Sequence, residues 1–119
     1  AIKNYYKVEY LDDKTTQVWR PLAWSLLLSK EFAQSKEYYD KILNESPRSE
    51  DYLNVGHLLF AQNNIKEAIE YYKKALGGDK SKIDELVNLL EKDKKHMRNI
   101  GIDTSLLPFI VDAISYSFD

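Results

Sequence analysis

From Ser49 to Leu76 the chain reads SEDYLNVGHLLFAQNNIKEAIEYYKKAL, and its apolar positions change phase once, at Gln62-Asn63-Asn64. Before the break, Tyr52, Val55, Gly56 and Leu59 follow i, i+3, i+4, i+7 spacing; after it, Ile65, Ala68, Ile69, Tyr72 and Ala75 repeat on a helical period. The pattern predicts two amphipathic helices joined by a short polar turn, an αα-hairpin. One small residue stands in the middle of each helix, Gly56 and Ala68, where two helix axes can approach closely.

The same pattern recurs upstream. Phe32 to Leu43, FAQSKEYYDKIL, matches Ile65 to Leu76, IKEAIEYYKKAL, at an offset of 33 residues, with Ser35 in the place of Ala68. VWRPLAWSLLLSKE matches the first helix of the central hairpin: Trp19 at Tyr52, Leu22 at Val55, Ala23 at Gly56, Leu26 at Leu59. The N-terminal AIKNYYKV matches the second helix once more, with Ala1 in the small-residue place. Three matches in phase, each with its small residue in position, mark a repeat.

A helix-turn-helix period of this length with these residue types resembles the tetratricopeptide repeat. The pattern reads Tyr52, Val55, Gly56, Leu59, Ala68, Tyr72, Ala75 in the central unit and Trp19, Leu22, Ala23, Leu26, Ser35, Tyr39, Ile42, Pro47 in the one before it. Ile42 is larger than the usual Ala, and Gly77-Gly78 ends the central unit without the usual proline. The resemblance spans about residues 1 to 79. It implies an all-α fold, an α-α superhelix built as a right-handed stack of hairpins.

The expected organisation is one domain over 1–119. Residues 1–15 are the second helix of a truncated repeat, 16–48 and 49–80 are full repeats, and 81–119 form a degenerate capping hairpin. Helices are expected near Gln17–Ser29, Glu31–Leu43, Glu50–Gln62 and Ile65–Leu76. Pro21, about one turn inside the first of these, removes a backbone hydrogen bond and is expected to kink that helix or delay its start. Past Gly77-Gly78, Ser81 with Asp84 suggests a helix start, Gly101 a stop, and Asp103-Thr104-Ser105 a cap for a last helix to about Tyr116. Leu90 stands where Gly56 and Ala23 stood, so the small-residue contact is missing there. The last helix is apolar nearly all round, which predicts burial on several sides; repeat arrays need such a terminal cover. AIKNYYKVEY lacks an initiator Met and begins as if inside a helix, so the sequence is expected to be a piece of a longer chain.

Composition narrows function by exclusion. At 119 residues the net charge is -2, which provides no bulk field for phosphate backbones or anionic membranes. There is no cysteine, hence no thiolate chemistry, in keeping with a reducing compartment such as the cytoplasm. No apolar run approaches the ~20 residues of a membrane span. The two histidines, His57 and His96, lie on different helices without acids at metal-ligand spacing. No Gly-rich phosphate loop is present. Neither catalysis, a metal nor a cofactor is expected, and nucleic acid is not an expected partner.

Binding remains. In the family it resembles, first helices line a concave groove that receives a peptide or a partner helix. The corresponding positions here are Gln17, Arg20, Trp24 and Leu28 in one repeat and Glu50, Leu53, Asn54, His57 and Ala61 in the next. Arg20, Trp24, Leu28, Asn54 and His57 are the candidate contacts. Trp24 beside Arg20 brings together the residue types that dominate interfaces; the alternative is that Trp24 packs on the neighbouring helix near His57 or Phe60. Arg20 and Asn54 also fall at two positions of a clamp that grips C-terminal carboxylates. Trp24, Asp84 and Asn88 occupy the other positions and rule it out.

The pairs Tyr5-Tyr6, Tyr38-Tyr39 and Tyr71-Tyr72 are expected to put one ring in the core and the other towards solvent or the next repeat. The run Glu91-Lys92-Asp93-Lys94-Lys95-His96 reads as a solvated face. A second role, a self-association or spacer module with an empty groove, follows from the terminal helices, through which a homodimer can form.

Overall fold

The computed structural model describes residues 14–118, and these are helical throughout, with turns between and no strand among them. Six helices follow in order: α1 (Lys14–Leu28), α2 (Phe32–Glu45), α3 (Ser49–Ala61), α4 (Ile65–Ala75), α5 (Ile83–Asn99) and α6 (Leu107–Ser117). The helix expected over the first residues lies outside the described part. α1 continues through Pro21.

The chain reverses the same way after each first helix. Lys30 and Asn63, 33 residues apart as the sequence period requires, both adopt left-handed backbone, with φ of 62° and 64°. In each turn two N–H groups fold back on the helix just ended: Lys30 to Leu27 and Glu31 to Leu26, then Asn63 to Phe60 and Asn64 to Leu59. These paired bonds satisfy carbonyls that a helix end leaves orphaned. Gly101 makes the same turn after α5, at φ 95°, with Ile102 bonded back to Met97.

The small residues sit where the axes meet. Ala23, Ser35 and Ala68 are fully buried. The Ser35 hydroxyl donates to the Ala23 carbonyl at 2.8 Å, tying α2 to α1. α3 is the centre of the stack: Val55 to Phe60 are buried without interruption, because neighbours cover it on several sides. On α1 the buried residue of the last turn is Leu27, with Leu26 only partly covered.

The C-terminal hairpin departs from expectation in two places. Its cap is Asp79 rather than Ser81: the Asp79 carboxylate accepts from the Ser81 N–H at 3.0 Å and from its hydroxyl at 2.7 Å, holding the single turn Lys80–Lys82 before α5. Asp103 repeats this with Ser105 ahead of α6. Second, α6 is not buried on several sides. It buries Leu107, Ile110 and Ile114, while Phe109 and Tyr116 are 70% and 76% exposed. Only one face has protein beneath it, since α6 lies at the end of the stack. Lys73 of α4 anchors its end, donating to the Ser117 carbonyl at 3.1 Å and lying over the Phe118 ring.

Candidate functional site

α1, α3 and α5 face a common cleft of about 430 Å³. Arg20 and Trp24 reach it from α1, Asn54 and Leu53 from α3, and Leu89, Lys92 and Asp93 from α5. Tyr39 of α2 closes the floor. Three of the five residues expected at the groove, Arg20, Trp24 and Asn54, therefore meet in one place. Leu28 does not line the cleft; it is a half-exposed residue at the end of α1.

Arg20 is held by the next repeat. Its Nε donates to both Asp51 oxygens at 3.0 Å, and one terminal nitrogen donates to Asp51 Oδ2 at 2.9 Å and to the Ser46 carbonyl at 2.6 Å. Asp51 is 1% exposed. It also accepts from the Arg48 backbone N–H at 2.7 Å, capping α3 from its third position. The charge is thus neutralised and fully hydrogen-bonded, which is the condition for burying a carboxylate. Arg20 is a fixed wall of the cleft, with its Nε and one terminal nitrogen already engaged.

His57 lies behind the wall, 1% exposed. Its Nε2 is 2.9 Å from Asp93 Oδ2 and its Nδ1 is 2.8 Å from the Tyr72 hydroxyl. An ionised carboxylate only accepts, so Nε2 carries the proton; in the neutral ring Nδ1 then accepts from Tyr72 O–H. The chain Tyr72–His57–Asp93 links α4, α3 and α5. Burial pushes the Tyr72 hydroxyl well above its ordinary pKa, and the negative charge of Asp93 adds to this. A hydroxyl so fully enclosed has no access to a substrate. The network positions Asp93, which lines the cleft.

Trp24 is half-buried and meets His96 of α5 edge-on, with ring centroids 5.5 Å apart and an interplanar angle of 81°. The run Glu91 to His96 is therefore more than a solvated face: Asp93 and His96 tie α5 to α3 and α1. Both rings of Tyr38-Tyr39 are buried, at 4% and 1% exposure. The Tyr39 hydroxyl is enclosed, with the Asn54 side chain as its loose hydrogen-bond partner. Burial raises its pKa, that hydrogen bond lowers it, and the nearby Asp51 charge raises it again.

Sequence reasoning overlooked Tyr39, Asp51, Asp93 and Lys92. A cue existed for Asp51, an acid at the third position of its helix and 31 residues after Arg20, close to the repeat period. Nothing in the spacing of α5 marks Asp93, because that helix has left the repeat pattern.

The hairpin at the centre of this arrangement matches a known family: residues 52–80 fit the family model described as Tetratricopeptide repeat. Over those residues the chain is similar to a tetratricopeptide repeat. Its all-α, hairpin-stacked architecture agrees with that assignment. Tetratricopeptide repeats generally mediate protein–protein interaction and are typically non-catalytic. No curated protein sequence and no solved structure matched the chain. Among the described residues no helix is long and apolar enough to cross a membrane, and no group of three His, Asp or Glu side chains is arranged to hold a metal ion.

Proposed function

We propose that this protein is a non-catalytic interaction module that receives an extended segment of another protein in the cleft between α1, α3 and α5. The observation that carries the reading is the convergence of Arg20, Trp24 and Asn54 on one cavity. Trp24 offers a half-buried aromatic anchor, and Asn54 offers an amide with both a donor and an acceptor for a peptide backbone. Arg20 and His57 support the walls, and Leu28 marks the outer end of α1. The repeats run over 16–48 and 49–80, with 81–119 closing the stack and supplying the third wall.

Mapping partner-induced shifts in the NMR spectrum tests this. Shifts at Trp24, Asn54 and Leu89 support it; shifts restricted to α2 and α4 overturn it. A second reading is self-association through α6, favoured by the exposed stripe of Leu106, Phe109 and Tyr116. Sedimentation of the wild type beside Phe109→Ser decides that point. A dimer lost on substitution favours it, and a monomer at high concentration removes it.

A further inference from the structure

We infer that His96 is a positioning residue of the cleft: its ring holds the Trp24 indole in place for the incoming segment. The inference rests on the reading of the cleft as the binding surface and adds what sets its aromatic anchor.

Trp24 lies outside the buried stripe of its own helix, whose members are Trp19, Ala23 and Leu27. A ring on a helix surface turns about two side-chain torsions unless a neighbour stops it. Ordering such a side chain at the moment of binding subtracts from affinity, and a side chain fixed beforehand avoids that cost.

The neighbour is His96. Its ring centroid is 5.5 Å from that of Trp24 and the planes meet at 81°, the edge-to-face arrangement that aromatic pairs favour. Trp24 lines the cleft and His96 does not, so the imidazole bears on the indole without taking any of the cavity wall. The anchor is held, and its cleft side stays open.

A second, independent set of contacts fixes His96 itself. Asp93, three residues earlier and on the same side of α5, accepts from Nε2 of the buried His57 at 2.9 Å. Leu90 and Met97, the residue after His96, are 2% and 0% exposed. To roll or slide, α5 would have to break that hydrogen bond and uncover those side chains. The His96 ring is therefore delivered to one place opposite α1. Since α5 begins at Ile83, beyond the matched residues 52–80, the C-terminal hairpin does more than cover the end of the stack. It sets the anchor of a cleft whose other walls come from the preceding hairpins.

His96 is exposed, so replacing it removes the ring contact and leaves the core intact. The probe is a peptide that the wild type selects from a random displayed library and that shifts the Trp24 indole N–H. His96→Ala and His96→Gln should bind it about fivefold more weakly, whereas His96→Phe, which restores a flat ring, should come within about twofold of the wild type. Melting temperatures should fall by only a few degrees. In a Trp24→Ala background His96→Ala should have no further effect, as a residue acting through another requires. In the free protein the order parameter of the indole N–H should drop in His96→Ala and recover in His96→Phe. Wild-type affinity in His96→Ala or His96→Gln overturns the positioning role and leaves the cleft reading standing; so does an equal loss in the Trp24→Ala background. Selected peptides that shift only α2 and α4, or a selection that yields no peptide, overturn both.

Discussion

A Cβ on Gly56 would stand 2.6 Å from Cε1 of Tyr72 and 2.7 Å from its Cδ1. The close approach in the central hairpin is thus between the α3 backbone and an aromatic face. The ring has little room to yield, because its hydroxyl bonds to His57, one residue along from Gly56. Gly56→Ala gains helix propensity of roughly 1 kcal/mol, but the clash removes more. A net loss of about 1–2 kcal/mol is expected by urea denaturation. Unchanged or increased stability would show that Tyr72 can move aside.

Arg20 and Asp51 join successive repeats through a carboxylate that has almost no solvent access. Removing the cation strands that charge. Arg20→Ala should cost about 3 kcal/mol, and the double variant with Asp51→Asn should cost less than the sum of the two singles. Additive losses in the denaturation cycle would mean that the two side chains act separately.

The Tyr72–His57–Asp93 chain fixes the tautomer of His57. Its imidazole nitrogen shifts should report a protonated Nε2 and a bare Nδ1. Tyr72→Phe keeps the ring and removes only the hydroxyl, leaving Nδ1 buried and unpaired at a cost of about 1–2 kcal/mol. A protonated Nδ1 in the neutral ring, or a Phe variant as stable as the wild type, would contradict the assignment.

Tyr39 and Tyr72 both have pKa values raised, chiefly by burial. A free tyrosine ionises near ~10. Above that pH the unfolded chain loses these protons while the folded chain keeps them, so stability falls as pH rises from there towards the folded values. Their tyrosinate absorbance should appear only as the helical circular dichroism is lost; full ionisation with the helical signal intact would be the contrary result. Asp79 and Asp103 act on the acid side. Their Ser81 and Ser105 partners, hydroxyl first and then backbone N–H, hold both carboxyls below the ordinary range. Their contribution is present above the ordinary carboxylate value and is lost as pH falls through the folded ones, modestly, because both are fully exposed.

The hairpins were legible because a helical period with small residues at fixed places leaves few alternatives. Gly56 and Ala68 mark the packed axes, and Gln62 to Asn64 the turn. Lys30 was not legible as a left-handed residue, since nothing in its type favours that backbone; the fold imposes it at the position Asn63 fills one repeat later. Of the residues expected at a groove, Arg20, Trp24 and Asn54 line the cleft, as their register on the helices allows. His57 is buried instead, because register gives a direction around one helix and says nothing of what covers it: Asp93 arrives from a helix outside the hairpin's own pattern. The apolar character of α6 likewise suggested burial, whereas its position at the end of the stack leaves Phe109 and Tyr116 in solvent.

The measurement that bears most directly on the cleft as the binding surface is a comparison of the wild type with Trp24→Ala. Both would be measured against peptides selected by the wild type from a random displayed library, with thermal melts of each protein. The selected peptides should bind Trp24→Ala at least about tenfold more weakly, while its melting temperature falls by only a few degrees. Equal binding to both proteins, with a large fall in melting temperature, would make Trp24 a core residue and contradict the account.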